Sequence, residues 1–383
     1  MLRVAWRLPD ASAWTGGQNY FFNLAKALFL LPERDVEIVL LGTNGASGVL
    51  KGCEVIPDHP CRRYSQSWFC HTFNRLLLSR DPALEKELNR YSIDILSHSV
   101  PLGRVSSIPA LCWIPDLQHK RMPQFFSARE RAFRDLAFWN IARGAQGVLF
   151  SSEDARKDFL RFYPKAKART FVLPFVADVK GIGAVGDWNK LKSKYGLDEP
   201  YFIVPNQVWK HKNHEILIEA LKLAGKDAPL ILCTGATQDY RHPGYFDFLQ
   251  HKLIDSNLSE RLRFLGRIPF EDLGALMRHS LALINPSYFE GWSTSVEEAK
   301  SLGKRVILSD IPVHREQNPL MGIYFPPDCP EALWSALKIV MGQASSADTD
   351  ERSMREAALV LPERMRQYGR AYEAIIHSII TKS

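Results

Sequence analysis

A chain of 383 residues is long for one domain and comfortable for two of roughly 150–200 residues each. With 46% hydrophobic and 24% charged residues it has the composition of an ordinary soluble globular protein, and no apolar run approaches the roughly 18 residues that cross a bilayer. The net charge of +7 is uneven: residues 1–180 hold 25 Lys+Arg against 17 Asp+Glu, the remainder 24 against 25, so the first half is the one suited to an anionic neighbour.

The first strand, LRVAWRL, opens the chain, and Pro9 and Asp10 interrupt it before a secretory core can form. A helix is predicted over Gln18–Leu31, then strand VEIVLLG and strand Ile93–Ser97. ALCWIPD (Ala110–Asp116) reads as a strand, Arg129–Arg143 as a helix and QGVLFSS (Gln146–Ser152) as a strand. Helix Glu153–Phe162 and strand TFVLPF follow. Between the early strands, Arg62–Arg80 interleaves arginines with aromatic and aliphatic residues. That pattern fits either a helix packed on its own sheet or peripheral contact with an anionic membrane.

Composition turns polar and glycine-rich over residues 177–199, where the domain boundary is expected. GIGAVG (Gly181–Gly186) within it matches G-x-G-x-x-G in form only. The helix after it is short and polar, and the next strand ends in Asn206 and Gln207 instead of an acid, so it reads as a linker. The alternation then resumes with YFIVPNQ, helix His214–Ala224, strand PLILCTG, helix Tyr245–Ser256, strand LRFLG and helix Glu271–Arg278. Residues 344–353 read as a solvated connector. Two doubly wound α/β domains account for this order.

The stretch from Tyr288 to Arg305, YFEGWSTSVEEAKSLGKR, carries the strongest chemical signal. Buried strand SLALINPS precedes it, RVILSD follows it, and a helix after Ser293 ends at Gly303. Glu290 and Glu298 therefore bracket a loop at the carboxyl end of a parallel strand, where ligands sit in open α/β sheets. Ser295 and Glu298 also have the spacing of a capping box, a purely structural alternative.

FEGWSTSVEEA resembles the E-x7-E signature of family-4 glycosyltransferases, retaining enzymes of the GT-B fold that use nucleotide sugars. VPNQVWKHKNHEILIEAL is similar to that family's diphosphate-gripping segment, and LRFLGRIPFEDLGALM to its nucleotide-base loop, which places Ile268 beside the base. GVLFSSEDARKDF resembles the last strand–helix unit of the family's first domain. The resemblance implies two Rossmann-like doubly wound domains facing a central cleft. Residues 1–180 would bind acceptor, with a returning helix at 362–380, and residues 195–345 would bind donor.

It also implies roles. Glu290 would accept sugar hydroxyls and Glu298 the ribose hydroxyls. Lys212 would meet the diphosphate, together with the free amides at Ser293 and Thr294. Gly291 would let backbone approach the ligand beside Trp292, and Gln207 stands where the family has an arginine. In the first half, Gly16 and Gly17 resemble the family's phosphate-facing glycine loop. Asp116 and His119 of IPDLQH are the candidates for the acceptor side.

The expected reaction moves a sugar from a nucleotide-sugar donor to a hydroxyl acceptor, a glycan or glycolipid, in cell-surface polysaccharide or glycolipid assembly. Without a Cys-x-x-Cys pair, no metal and no cofactor are expected, and nothing resembles a nucleic-acid-binding motif. The expected location is the cytoplasm, with the membrane's inner face as a peripheral site. A nucleotide-sugar-binding scaffold without turnover, or an epimerase or phosphorylase on the same fold, are the alternatives. The C-terminal stripe Tyr368, Tyr372, Ile375, Ile376 and Ile379 is expected to bury against the first 180 residues.

Overall fold

The computed structural model describes residues 1–8, 15–42, 50–57, 81–179, 188–343 and 347–381. The Arg62–Arg80 segment and the GIGAVG stretch lie outside them. The chain divides into two compact units, Met1–Val176 with Glu363–Ser383, and Ala177–Pro362.

The first unit holds β1 (Leu2–Trp6), α1 (Thr15–Phe29), β2 (Val36–Leu41), β3 (Glu54–Ile56), α2 (Pro82–Arg90), β4 (Ile95–Ser97) and β5 (Ala110–Ile114). It continues with α3 (Gln118–Arg121), α4 (Ala128–Gly144), β6 (Gly147–Phe150), α5 (Glu153–Phe162) and β7 (Arg169–Val172). The strands form one parallel sheet in the order β3-β2-β1-β4-β5-β6-β7. Val4, Ala5 and Trp6 of β1 pair with Ile38, Val39 and Leu40 on one side and with Ile95, Leu96 and Ser97 on the other. Strands buried on both faces explain the unbroken apolar runs of the sequence.

The second unit holds α6 (Trp188–Tyr195), β8 (Tyr201–Val204), α7 (Glu215–Ala224), β9 (Leu230–Thr234), α8 (Tyr245–Asp255), β10 (Leu262–Gly266) and α9 (Phe270–His279). After them come β11 (Leu283–Asn285), α10 (Thr294–Leu302), β12 (Val306–Ser309), α11 (Pro312–Gln317), β13 (Gly322–Phe325) and α12 (Pro330–Gln343). Its sheet runs β10-β9-β8-β11-β12-β13, all parallel. In both units the strand order reverses beside the first strand, so a crevice opens between β1 and β4 and between β8 and β11. This is the GT-B class of two Rossmann-like units.

The last helix, α13 (Ala347–Ile380), corrects the reading of residues 344–353 as a connector, since helix begins at Ala347. Its early part is rich in Glu, Arg and Ala, and Arg352–Glu356 and Arg355–Glu351 pair across one turn. The division between units falls inside this helix, at Pro362. Beyond it, Tyr368, Tyr372, Ile375, Ile376 and Ile379 are all buried. Gly369 shows how tightly this segment lies on the first unit: a Cβ there would stand 2.7 Å from the Ala27 carbonyl oxygen of α1.

Candidate functional site

In the second unit, the carboxyl ends of β8 and β11 deliver Asn206 and Asn285 side by side, with Asn206 Nδ2 donating to Asn285 Oδ1 at 3.1 Å. Asn285 then spends its two amide protons on Glu290 Oε1 (3.1 Å) and Ser293 Oγ (2.8 Å), fastening both ends of the loop between β11 and α10. The Ser287 hydroxyl lies 2.8 Å from Glu290 Oε1 and 2.6 Å from Asn285 Oδ1.

Lys212 closes this arrangement. A 3-10 turn, Lys210–Lys212, ends at Asn213, whose left-handed backbone (φ 58°) an asparagine tolerates. The Asn213 amide donates to the carbonyls of Pro286 and Pro327, so the turn is pinned to the loop after β11. Lys212 Nζ thereby meets both oxygens of Glu290, at 2.7 and 2.8 Å. Burial pushes the Glu290 carboxyl upward, but Lys212, His314 and the Ser287 hydroxyl outweigh it and hold the group below its ordinary value. Three donors surround Oε1 and only Lys212 reaches Oε2. The acceptor capacity left for a ligand hydroxyl is on Oε2.

Glu298 is the opposite case. It is equally enclosed, on the second turn of α10, yet no hydrogen bond or ion pair reaches its carboxyl among the described residues. Burial alone drives it up to about 8. The capping-box reading is corrected here. The helix starts at Thr294 with Ser293 as its N-cap, which puts Ser295 inside the helix, and no side chain caps it. The Ser293 hydroxyl is already engaged as the acceptor from Asn285, and Ser295 Oγ lies 3.2 Å from it.

Gln317 of α11 braces this corner. Its side-chain oxygen accepts from Ser293 N–H (3.3 Å), and its amide donates to Ser293 O (2.9 Å) and Glu297 Oε1 (3.2 Å). Glu297, which points away from Glu298, also pairs with Lys300 at 2.9 Å. His314 Nδ1 donates to the Ser309 carbonyl at 2.8 Å, and burial lowers its basicity. Burial first, and then Lys212 nearby, also lower the basicity of His211 and His214.

Gly291, Trp292 and Thr294 are half-buried on the same loop and helix start, and Ile268 is half-buried beyond β10. Gln207, half-buried after β8, contributes its carbonyl to Trp209 N–H at 2.8 Å. The second unit thus brings Lys212, Glu290 and Ser293 into one bonded cluster, with Glu298 on the helix that Ser293 begins.

The candidates of the first unit form no such cluster. Gly16 and Gly17 stand in the first turn of α1 and not in a loop ahead of it. Asp116 Oδ1 accepts from Gln118 N–H at 2.8 Å. His119 is buried against Phe126 and Phe138, with Nε2 3.0 Å from Asp135 Oδ1, and burial lowers its pKa despite that carboxylate.

Sequence reasoning passed over Asn206, Asn285, Ser287, His314 and Gln317. The available signal was a polar residue ending each of two buried strands, Asn206 and Asn285, where a core position would be apolar. Among the described residues, no group of three or more His, Cys, Asp or Glu is placed to hold a metal ion, and no helix is long and apolar enough to cross a membrane.

Residues 189–352 match the sequence model of the family described as glycosyl transferases group 1. The chain is 32% identical over 140 residues to the O-antigen chain mannosyltransferase RfbU of Salmonella typhimurium. That match takes in 37% of this chain and 38% of the relative's length. The fold is similar to a solved glycosyltransferase from Rickettsia africae, with a TM-score of 0.71, 16% identity, and 100% and 99% of the two chains covered. It is similar also to Anabaena HepE, solved with UDP and glucose (TM-score 0.69, 16% identity, 99% and 100% covered). A third neighbour is WaaG, a glycosyltransferase involved in lipopolysaccharide biosynthesis (TM-score 0.63, 15% identity, 96% and 95% covered). The match to that family's model lies within the second unit.

Proposed function

We propose that this chain is a retaining glycosyltransferase that moves a sugar from a nucleotide-sugar donor to a hydroxyl of a glycan or glycolipid, in polysaccharide or lipopolysaccharide assembly. The observation that carries the reading is the pair of buried carboxyls eight residues apart. Glu290 is held below its ordinary value and positioned by Lys212 and Asn285, while Glu298 has no partner among the described residues. A buried carboxyl without partners is costly unless something else completes it. The two hydroxyls of a ribose would do so.

In this reading Glu290 Oε2 accepts a hydroxyl of the donor sugar. The uncapped start of α10 offers N–H groups and a positive dipole end to the diphosphate. Lys212, held by Glu290, shares its charge with the departing diphosphate as that charge grows. The acceptor hydroxyl attacks the anomeric carbon from the face the diphosphate leaves, and a phosphate oxygen takes its proton. The names of the similar proteins support a sugar nucleotide, since HepE was solved with UDP and glucose and the relative is a mannosyltransferase. Because the protein itself supplies the positive charge, a chelator is expected to leave turnover unchanged.

The test is a panel of nucleotide sugars screened by thermal shift, followed by transfer to lipid-linked and free glycans. Release of nucleoside diphosphate that requires an acceptor supports the reading. Donor binding without transfer to any acceptor would make the chain a binding scaffold. Glu298→Ala is expected to weaken binding of the matching nucleoside diphosphate by roughly 1–3 kcal/mol, the cost of leaving buried ribose hydroxyls without their partner. Unchanged affinity in a folded variant would remove Glu298 from the site.

A further inference from the structure

The first unit carries a surface that the proposed chemistry does not use. On α4, Phe133, Leu136 and Trp139 are 66%, 37% and 41% exposed, although each would gain by burial. At 100° per residue they lie, with Arg129, Ala132 and Arg143, within an arc of about 120° along one side of the helix. Arg129 and Arg143, both exposed, close the two ends of the stripe, and the Arg143 guanidinium sits 4.3 Å above the Trp139 ring. The helix's two acids, Glu130 and Asp135, fall outside the arc.

The charges around the stripe are one-sided. Residues 128–168 contain five carboxylates and nine Lys or Arg. Every one of the carboxylates is taken: Glu130 by Arg134, Asp135 by Lys120, Glu153 by Arg156, and Asp154 and Asp158 by Arg121. Arg129, Arg143, Lys165 and Lys167 make no ion pair among the described residues. Lys167 N–H donates to the Ala142 carbonyl, and Arg104 reaches the Lys167 carbonyl, so Lys167 and Arg104 stand at the Arg143 end of α4.

We infer that this face of α4 docks on an anionic lipid bilayer, with Phe133, Leu136 and Trp139 entering the headgroup boundary and the basic residues meeting lipid phosphates. An aromatic and aliphatic stripe rimmed by unpaired arginines has the chemistry of an interfacial helix. The one-sided charge selects an anionic bilayer over a protein groove, whose own acids would have to be supplied residue by residue. The inference does not depend on the reaction proposed above.

Flotation of the full chain with phosphatidylglycerol-containing and pure phosphatidylcholine vesicles tests it. Each basic residue near an anionic surface is worth about fivefold in affinity. The anionic vesicles are therefore expected to bind at least about tenfold more tightly at low salt, with the difference shrinking as salt is added. Arg129→Glu/Arg143→Glu and Phe133→Ser/Trp139→Ser, checked for folding by circular dichroism, should each lose about tenfold or more. As a measure that needs no disruptive change, brominated lipid should quench the parent's fluorescence more than that of Trp139→Phe. Equal binding to both vesicles, anionic binding by both double variants at the parent's level, or identical quenching of parent and Trp139→Phe would overturn the inference. So would an absence of vesicle binding with a change of oligomeric state in Phe133→Ser/Trp139→Ser, which would make the stripe a protein interface.

Discussion

The crevice between the first strand and its crossover neighbour exists in both units, and the two units fill it in opposite ways. In the first, Trp6 ends β1 and Ser97 ends β4, paired in register. Trp6 Nε1–H donates to the Tyr372 hydroxyl at 2.8 Å, and Tyr372 donates to Ser97 Oγ at 2.8 Å. That leaves the Ser97 proton for His98 Nδ1 at 2.8 Å, and His98 Nε2–H for the Tyr20 hydroxyl at 2.9 Å. An indole can only donate, so the whole chain of bonds runs one way. Burial takes His98 down to about 3, and every member is neutral. In the second unit the equivalent ends are Asn206 and Asn285; Asn285 holds Glu290 of an ion pair, and Glu298 nearby has no partner among the described residues. The first crevice is filled and satisfied by the chain itself through Tyr372 of α13. The second keeps unmet polar demand, which is the condition for recognising a ligand.

The largest expected effect breaks the charged side of that contrast. Lys212→Ala leaves Glu290 buried and unpaired, and should destabilise the fold by about 3–5 kcal/mol in urea denaturation. Adding Glu290→Gln to it should restore much of the loss, because the stranded charge is gone. A single variant as stable as the parent would show that Lys212 does not hold Glu290. The sequence assigned Lys212 to the diphosphate alone. The bidentate pair gives it a folding role as well, so its effects on turnover must be measured on folded protein.

Next comes the neutral side. Tyr372→Phe removes the acceptor of a buried indole N–H and the donor to Ser97, which should cost about 1–3 kcal/mol. The Trp6→Phe/Tyr372→Phe double variant should cost less than the two singles added together, since it strands no indole donor. Strict additivity in the melting data would mean that the bond from Trp6 contributes nothing.

Per unit of pH, the third effect is the smallest, and it sharpens the comparison. The Glu298 carboxyl titrates near 8 in the folded chain, against an ordinary 4.5. Between those values the folded chain keeps a proton that the unfolded chain has released. Stability from this group is therefore full below 4.5 and is lost as pH rises toward 8. Glu298→Gln should remove a slope of up to about 1.4 kcal/mol per pH unit in that window. Parallel stability–pH curves for parent and variant would show that Glu298 is not held protonated. His98 of the first unit, kept neutral down to about 3 against an ordinary 6.5, should give a slope of the opposite sign, with stability rising with pH up to about 6.5.

Much of this molecule was legible because periodicity is local. Apolar runs punctuated by amphipathic helices announced two parallel α/β units, and the Glu290 and Glu298 spacing located the loop at the end of β11. The site's wiring was not legible, because its partners are far apart in the chain. Lys212 and Glu290 are separated by 78 residues, and Asn206 and Asn285 by 79. A capping box looked sound for Ser295 and Glu298 by spacing alone. Asn285 and Gln317 hold Ser293 at the N-cap, so the helix starts at Thr294 and Ser295 lies inside it.

What the sequence determined by itself is the list of elements and the kind of residues at their ends, since backbone propensity and burial patterning act over a few positions. The tertiary structure alone decided which of those ends are satisfied. Trp6 and Tyr372 meet across 366 residues to close one crevice, while burial without a partner leaves Glu298 protonated in the other. A carboxyl's charge depends on the dielectric and the donors around it, and only packing brings those together.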